Sequence, residues 1–176
     1  MNPEAAMNRE AAMNLESFNA AQAAEAEREL RTLCAAPGWA ARVVAGRPYP
    51  SRAALFTAAE QALTDADLDA AMAGHPRIGD RTAGGRSRHE QRAVGAADPE
   101  VLDALAEGNR AYEQRFGHVY LVCASGRSAE DLLATLHARL GHDPATERAV
   151  ALAELAAINR IRLGALVTTD AREGAA

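Results

Sequence analysis

A histidine, a glutamate and an arginine carry the chemistry this chain could do. His75 lies in Gly74-His75-Pro76-Arg77-Ile78-Gly79, and Glu90 lies just beyond it in Ser87-Arg88-His89-Glu90-Gln91. Pro76 pushes His75 out of the helical region of backbone space, and Gly74 can close the helix before it. An imidazole just past a helix C-terminus meets a dipole that favours its protonated form, a good position for moving a proton. It reads equally as a polar residue that ends a helix and bonds to backbone. Ser87-x-x-Glu90 has the spacing of a capping box and reads as that before it reads as a catalytic carboxylate. A helix start with open amides also suits an anionic substrate, and Gln91 adds an amide that donates and accepts.

Arg162 is the third group. At helical spacing it shares a face with Leu155, Ile158 and Leu166. A guanidinium on an apolar stripe needs an acidic partner, an anionic ligand or a route to solvent. Arg160 falls on another face and reads as solvated. His89 reads as solvent-facing and His118 as a border of the core. His137 and His142 are no helical ligand pair. Without a His-Glu-x-x-His or cysteine cluster, no metal site is expected.

The elements that must position these groups are helices. Hydrophobic residues make up 48% of the 176, much of that alanine, and aromatics only 4%. Small contact residues favour close-packed helices. A helical pattern runs from Leu15 to about Leu33 and stops before Pro37-Gly38, and a short helix follows from Trp39 to Ala45. Ser51 caps one to about Leu63, and Thr64 or Asp65 caps another to Ala73. After a loop from His75 to Arg86, Ser87 opens a helix to about Val94, and Asp98-Pro99 starts a long one ending near Phe116-Gly117. Ser128 caps a helix to Leu140, and Asp143-Pro144 opens the last, reaching as far as Val167. His118 to Ala124 is enriched in β-branched and aromatic residues but has no partner strand, so it reads as buried extended chain. The expected fold is all-α, a single-domain bundle of about eight helices with one short buried extended segment. Residues 1–14, with the duplicated Glu-Ala-Ala-Met-Asn, are expected to be a frayed or disordered extension, 15–168 the helical domain and 169–176 a flexible tail.

Composition excludes several functions. All 19 basic residues are arginine, and without lysine there is no Schiff base and no Walker-type phosphate loop. A net charge of −5 argues against a nucleic-acid partner. Cys34 and Cys123 have no redox or metal spacing and fit a reduced interior. No run reads as a membrane span or signal segment, so a cytoplasmic protein is expected.

In order along the chain, His75-Pro76-x-x-Gly79, Ser87-x-x-Glu90-Gln91, Tyr112-x-x-x-Phe116-Gly117, Tyr120-Leu121-Val122-Cys123-Ala124 and Glu147…Glu154…Ile161-Arg162-Leu163 resemble the 2-oxo-4-hydroxy-4-carboxy-5-ureidoimidazoline (OHCU) decarboxylases. The resemblance covers roughly Phe18 to Val167. It implies an all-helical homodimer that converts OHCU to (S)-allantoin in urate breakdown, without cofactor or metal. It also implies that His75 is the acid/base, with Glu90 and Arg162 beside it. Pro76, Ser87, Arg88, His89, Glu90, Gln91, Tyr120, Leu121, Val122, Cys123 and Ala124 would line the pocket. Two departures bear on pocket shape: Arg77, where the family often has an acid, and His118-Val119, where it often has Phe-Pro. The alternatives are a non-enzymatic helical module that binds a ligand or partner, and a related enzyme acting on another ureido compound.

Overall fold

The computed structural model describes residues 12–80, 85–92 and 94–168, the side chains of Gly85 and Arg88 excepted. These residues form two compact units, one of residues up to Thr64 and from Asn159 onward, the other Asp65–Ile158.

In the first unit, β1 (Met13–Asn14) pairs in parallel with β2 (Val167–Thr168), Met13 opposite Val167. The extension expected over 1–14 thus ends in a paired strand, while 1–11 and the tail beyond 168 lie outside the described residues. Helices α1 (Leu15–Ala20), α2 (Ala23–Leu33), α3 (Pro37–Ala45) and α4 (Arg52–Gln61) follow. The continuous helix expected over 15–33 is broken at Ala21, whose ψ of 149° is extended. Arg47 supplies the reason, since its Nη1 donates to the carbonyls of Phe18 and Ala21 at 2.6 and 2.9 Å. Tertiary bonding here overrides local propensity. Pro37 does not end a helix but begins one, where its missing N–H costs nothing. Ser51 caps α4 as expected, its Oγ accepting from the Ala54 amide. Trp39 is wholly buried and donates Nε1–H to the Ala59 carbonyl at 2.8 Å.

The second unit holds α5 (Asp65–Ala73), α6 (Gly85–Glu90), a 3-10 turn (Val94–Ala96), α7 (Pro99–Phe116) and α8 (Ala129–Arg139). The last helix, α9 (Pro144–Leu166), runs through Ile158 in this unit and continues from Asn159 in the first. Gly117 closes α7 at φ +77°, a conformation that favours glycine. Gly74 follows α5 without positive φ, its N–H donating to Ala71 in a tightened last turn. Residues 119–124 are neither helix nor strand, and Tyr120, Leu121, Val122 and Ala124 are buried, matching the expected extended segment. Tyr120, Val122 and Ala124 pack with Ile78, Leu105, Tyr112, Leu132 and Leu136 in one apolar cluster.

Candidate active site

His75 stands two residues beyond α5, half-buried, with Nδ1 2.7 Å from the Ala71 carbonyl oxygen. A carbonyl only accepts, so Nδ1 holds a proton and Nε2 is the other ring nitrogen. The loop after it is fastened at three successive residues. Arg77 forms a fork with Glu113 of α7 through Nε at 2.5 Å and Nη2 at 2.8 Å, Asn109 Nδ2 donates to the Ile78 carbonyl at 2.9 Å, and the Gly79 amide donates to Gln91 Oε1 at 2.9 Å. Arg77, the departure from the family pattern, is thus committed to Glu113, and it holds that carboxyl below its ordinary value.

The Ser87-x-x-Glu90 capping box does not form. Helix α6 begins at Gly85, so Ser87 is its third residue rather than its cap. Glu90 is half-buried at the last position of α6, next to Gln91. Burial pushes the Cys123 thiol up, and the carboxylates of Glu154 and Glu90 add to that rise, which sets Glu90 within electrostatic reach of the extended segment. Pro76 and Ser87 are half-buried, and His89 is exposed as expected. The Arg88 side chain lies outside the described residues. One unit therefore holds His75, residues Ser87–Gln91 and the Tyr120–Ala124 segment. Arg162 belongs to the first unit, is buried, and donates Nη1–H to the Leu33 carbonyl at the end of α2, 2.7 Å away.

Sequence reasoning missed what holds the extended segment. Glu147, fully buried, accepts from Arg139 (Nε at 2.8 Å, and Nη2), from the Tyr112 hydroxyl, and lies 2.8 Å from His142 Nδ1. Burial alone would raise its carboxyl, but Arg139, Tyr112 and His142 hold it below its usual range. Burial and the Glu147 carboxylate push the Tyr112 phenol well above its usual value, so it stays a donor. Arg139 also donates Nη1–H to the Leu121 carbonyl at 2.8 Å, and Glu154 Oε2 accepts the Cys123 amide at 2.8 Å. Those two main-chain groups bond within the protein. A signal existed: Arg139 follows Leu132 and Leu136 at helical spacing, the same buried-arginine pattern that singles out Arg162. Among the described residues, no group of three or more His, Cys, Asp or Glu is placed to hold a metal. No helix of theirs is long and apolar enough to cross a membrane.

An α-helical scaffold with a backbone-fixed imidazole on a fastened loop and a buried extended segment is the class these observations define. The OHCU decarboxylase profile matches residues 19–164, and the chain belongs to that family. It is 28% identical over 157 residues to the uric acid degradation bifunctional protein TTL of Arabidopsis thaliana, covering 83% of this chain but 48% of that protein, so it spans about half of that relative's length. It is also 28% identical to an OHCU decarboxylase of Amia calva, covering 77% of this chain and 83% of the relative. The crystal structure of an OHCU decarboxylase in the presence of (S)-allantoin matches with a TM-score of 0.67 at 27% identity, over 77% of this chain and 94% of that one. An (S)-allantoin synthase structure, 17% identical, shares the fold at a TM-score of 0.67 over 88% of this chain and 54% of that one.

Proposed function

We propose that this protein is a carboxy-lyase that converts OHCU to (S)-allantoin in urate degradation. The observation that carries the reading, beside family membership, is the His75 ring, held by its Nδ1–H on the Ala71 carbonyl so that Nε2 is the ring nitrogen that would meet the substrate. Decarboxylation needs a sink for the electron pair of the breaking C–C bond. The substrate has one, the C=N bond beside the carboxylated carbon. As CO2 leaves, the pair forms a carbon–carbon double bond and the imine electrons move onto nitrogen, which takes a proton. The hydroxyl then gives up its proton as its oxygen becomes a carbonyl, and the neighbouring carbon is protonated from one side.

His75 and Glu90 share these transfers. Ser87, Arg88, His89 and Gln91 hold the polar ring and ureido groups, Pro76 shapes the pocket wall, and the segment Tyr120, Leu121, Val122, Cys123 and Ala124 faces the heterocycle through main-chain groups other than the Leu121 carbonyl and the Cys123 amide. The family pattern assigns Arg162 to the same reaction, as a planar donor of hydrogen bonds. A cytoplasmic homodimer with OHCU as its small-molecule partner, and no nucleic acid, completes the reading. The test supplies freshly oxidised and hydrolysed urate and follows the circular dichroism of (S)-allantoin. Added protein should speed its appearance and give one enantiomer. A racemic product at the spontaneous rate would refute the proposal.

A further inference from the structure

We infer that Glu154 and Arg139 are positioning residues that aim the main chain of Val122 at the substrate, an assignment that rests on the activity proposed above. Arg139 holds the Leu121 carbonyl and Glu154 holds the Cys123 amide, each at 2.8 Å. Arg139 Nη1 and Glu154 Oε1 are 4.0 Å apart, so both anchors lie on one side of the segment. The peptide bonds on either side of Val122 are trans, and in a planar trans peptide the N–H points opposite to the C=O. The Val122 N–H therefore opposes the anchored Leu121 carbonyl, and the Val122 C=O opposes the anchored Cys123 amide. A donor and an acceptor are set side by side on the face away from the anchors. That pair complements the adjacent N–H and C=O of a cyclic ureide.

The anchors are themselves fixed. Glu147 grips two nitrogens of Arg139, and the Arg139 side chain is 3% exposed. Glu154 is the adjustable member, with 23% of its side chain exposed. Its removal should disturb folding far less than removal of Glu147.

Steady-state kinetics on E154A and E154Q, with thermal melts, test the assignment. E154A should raise KM about tenfold with kcat nearly unchanged, while E154Q, which keeps an oxygen for the Cys123 amide, stays within about threefold of wild type. Both should melt near wild type. An E154A variant with wild-type KM, or an E154Q variant as impaired as E154A, overturns the assignment. A wild-type protein that turns nothing over overturns the proposed function, and the assignment falls with it. Should E154A not fold, amide exchange in the wild type decides the matter. Saturating (S)-allantoin should slow exchange at Val122 and leave the already bonded Cys123 amide as it was. An unchanged Val122 rate overturns the assignment.

Discussion

The Gly79 amide donates to Gln91 Oε1 across 2.9 Å, and this bond joins the loop that carries His75 to the residue beside Glu90. The two candidate proton-transfer groups lie on separate local elements, a loop after α5 and the end of α6. Gly79 has φ +84°, so the turn that delivers its N–H to Gln91 favours glycine. The family pattern His75-Pro76-x-x-Gly79 thus has a physical reading in which glycine closes the loop and glutamine fastens it.

Q91A removes that fastening and leaves the Gly79 amide without its side-chain acceptor. The loop should lose its fixed register, and kcat/KM should fall roughly tenfold to a hundredfold, the scale of a misplaced reacting group. Helical circular dichroism should be unchanged. Steady-state rates on Q91A and Q91E check this, with Q91E, which keeps an acceptor, the less impaired.

R162K replaces a planar fork with a single ammonium. Arg162 Nη1 donates to the Leu33 carbonyl, a geometry that also sets the direction of its other nitrogens. If Arg162 binds substrate as proposed, loss of that charge-assisted contact should lower kcat/KM roughly tenfold to a hundredfold. A melt of the same variant measures the part of the loss that comes from stability, and rates are compared per folded molecule.

Sequence periodicity and capping residues located most helices here, because Pro, Gly and Ser act on the backbone next to them. Ser51, Ser128, Pro99 and Gly117 all stand at the helix ends their chemistry favours. One failure came where a distant group intervened, another where a helix began ahead of its candidate cap. Arg47 breaks the helical run at Ala21 from 26 residues away. Ser87 has cap spacing, yet α6 begins two residues earlier at Gly85. In the candidate site, His75, Glu90 and the segment from Tyr120 were legible as family pieces, but their fastenings were not. Glu147 meets Tyr112 across 35 residues, and Glu154 meets Cys123 across 31. Such pairings are set by packing and leave no local periodicity.

E147A should cost about 3–5 kcal/mol, because it strands the Arg139 guanidinium in the core without its counter-charge. Denaturant melts measure it. The pH dependence has a definite sign. The fold holds the Glu147 carboxyl below its ordinary 4.5, so the unfolded chain binds more protons in that region. Its contribution is present in full above about 4.5 and is lost as pH falls through the folded value. Wild-type stability should therefore drop on acidification, and E147Q should show a shallower slope over the same range.

G108A tests the packing of α7 against α8. A Cβ at Gly108 would stand 2.4 Å from Leu136 Cδ2, and Leu136 is wholly buried. Leu136 must shift within a filled core, which should cost about 1–3 kcal/mol despite alanine's better helix propensity. An unchanged melting midpoint would show that this helix contact yields freely.

The central claim is that His75 moves the proton. The most direct measurement is the initial rate of (S)-allantoin formation by H75A, with E90A beside it, at equal concentration of folded protein. Removing a general acid/base should lower kcat by about 10²–10⁴ while the helical spectrum stays that of wild type. A folded H75A variant that forms (S)-allantoin at the wild-type rate would contradict the account.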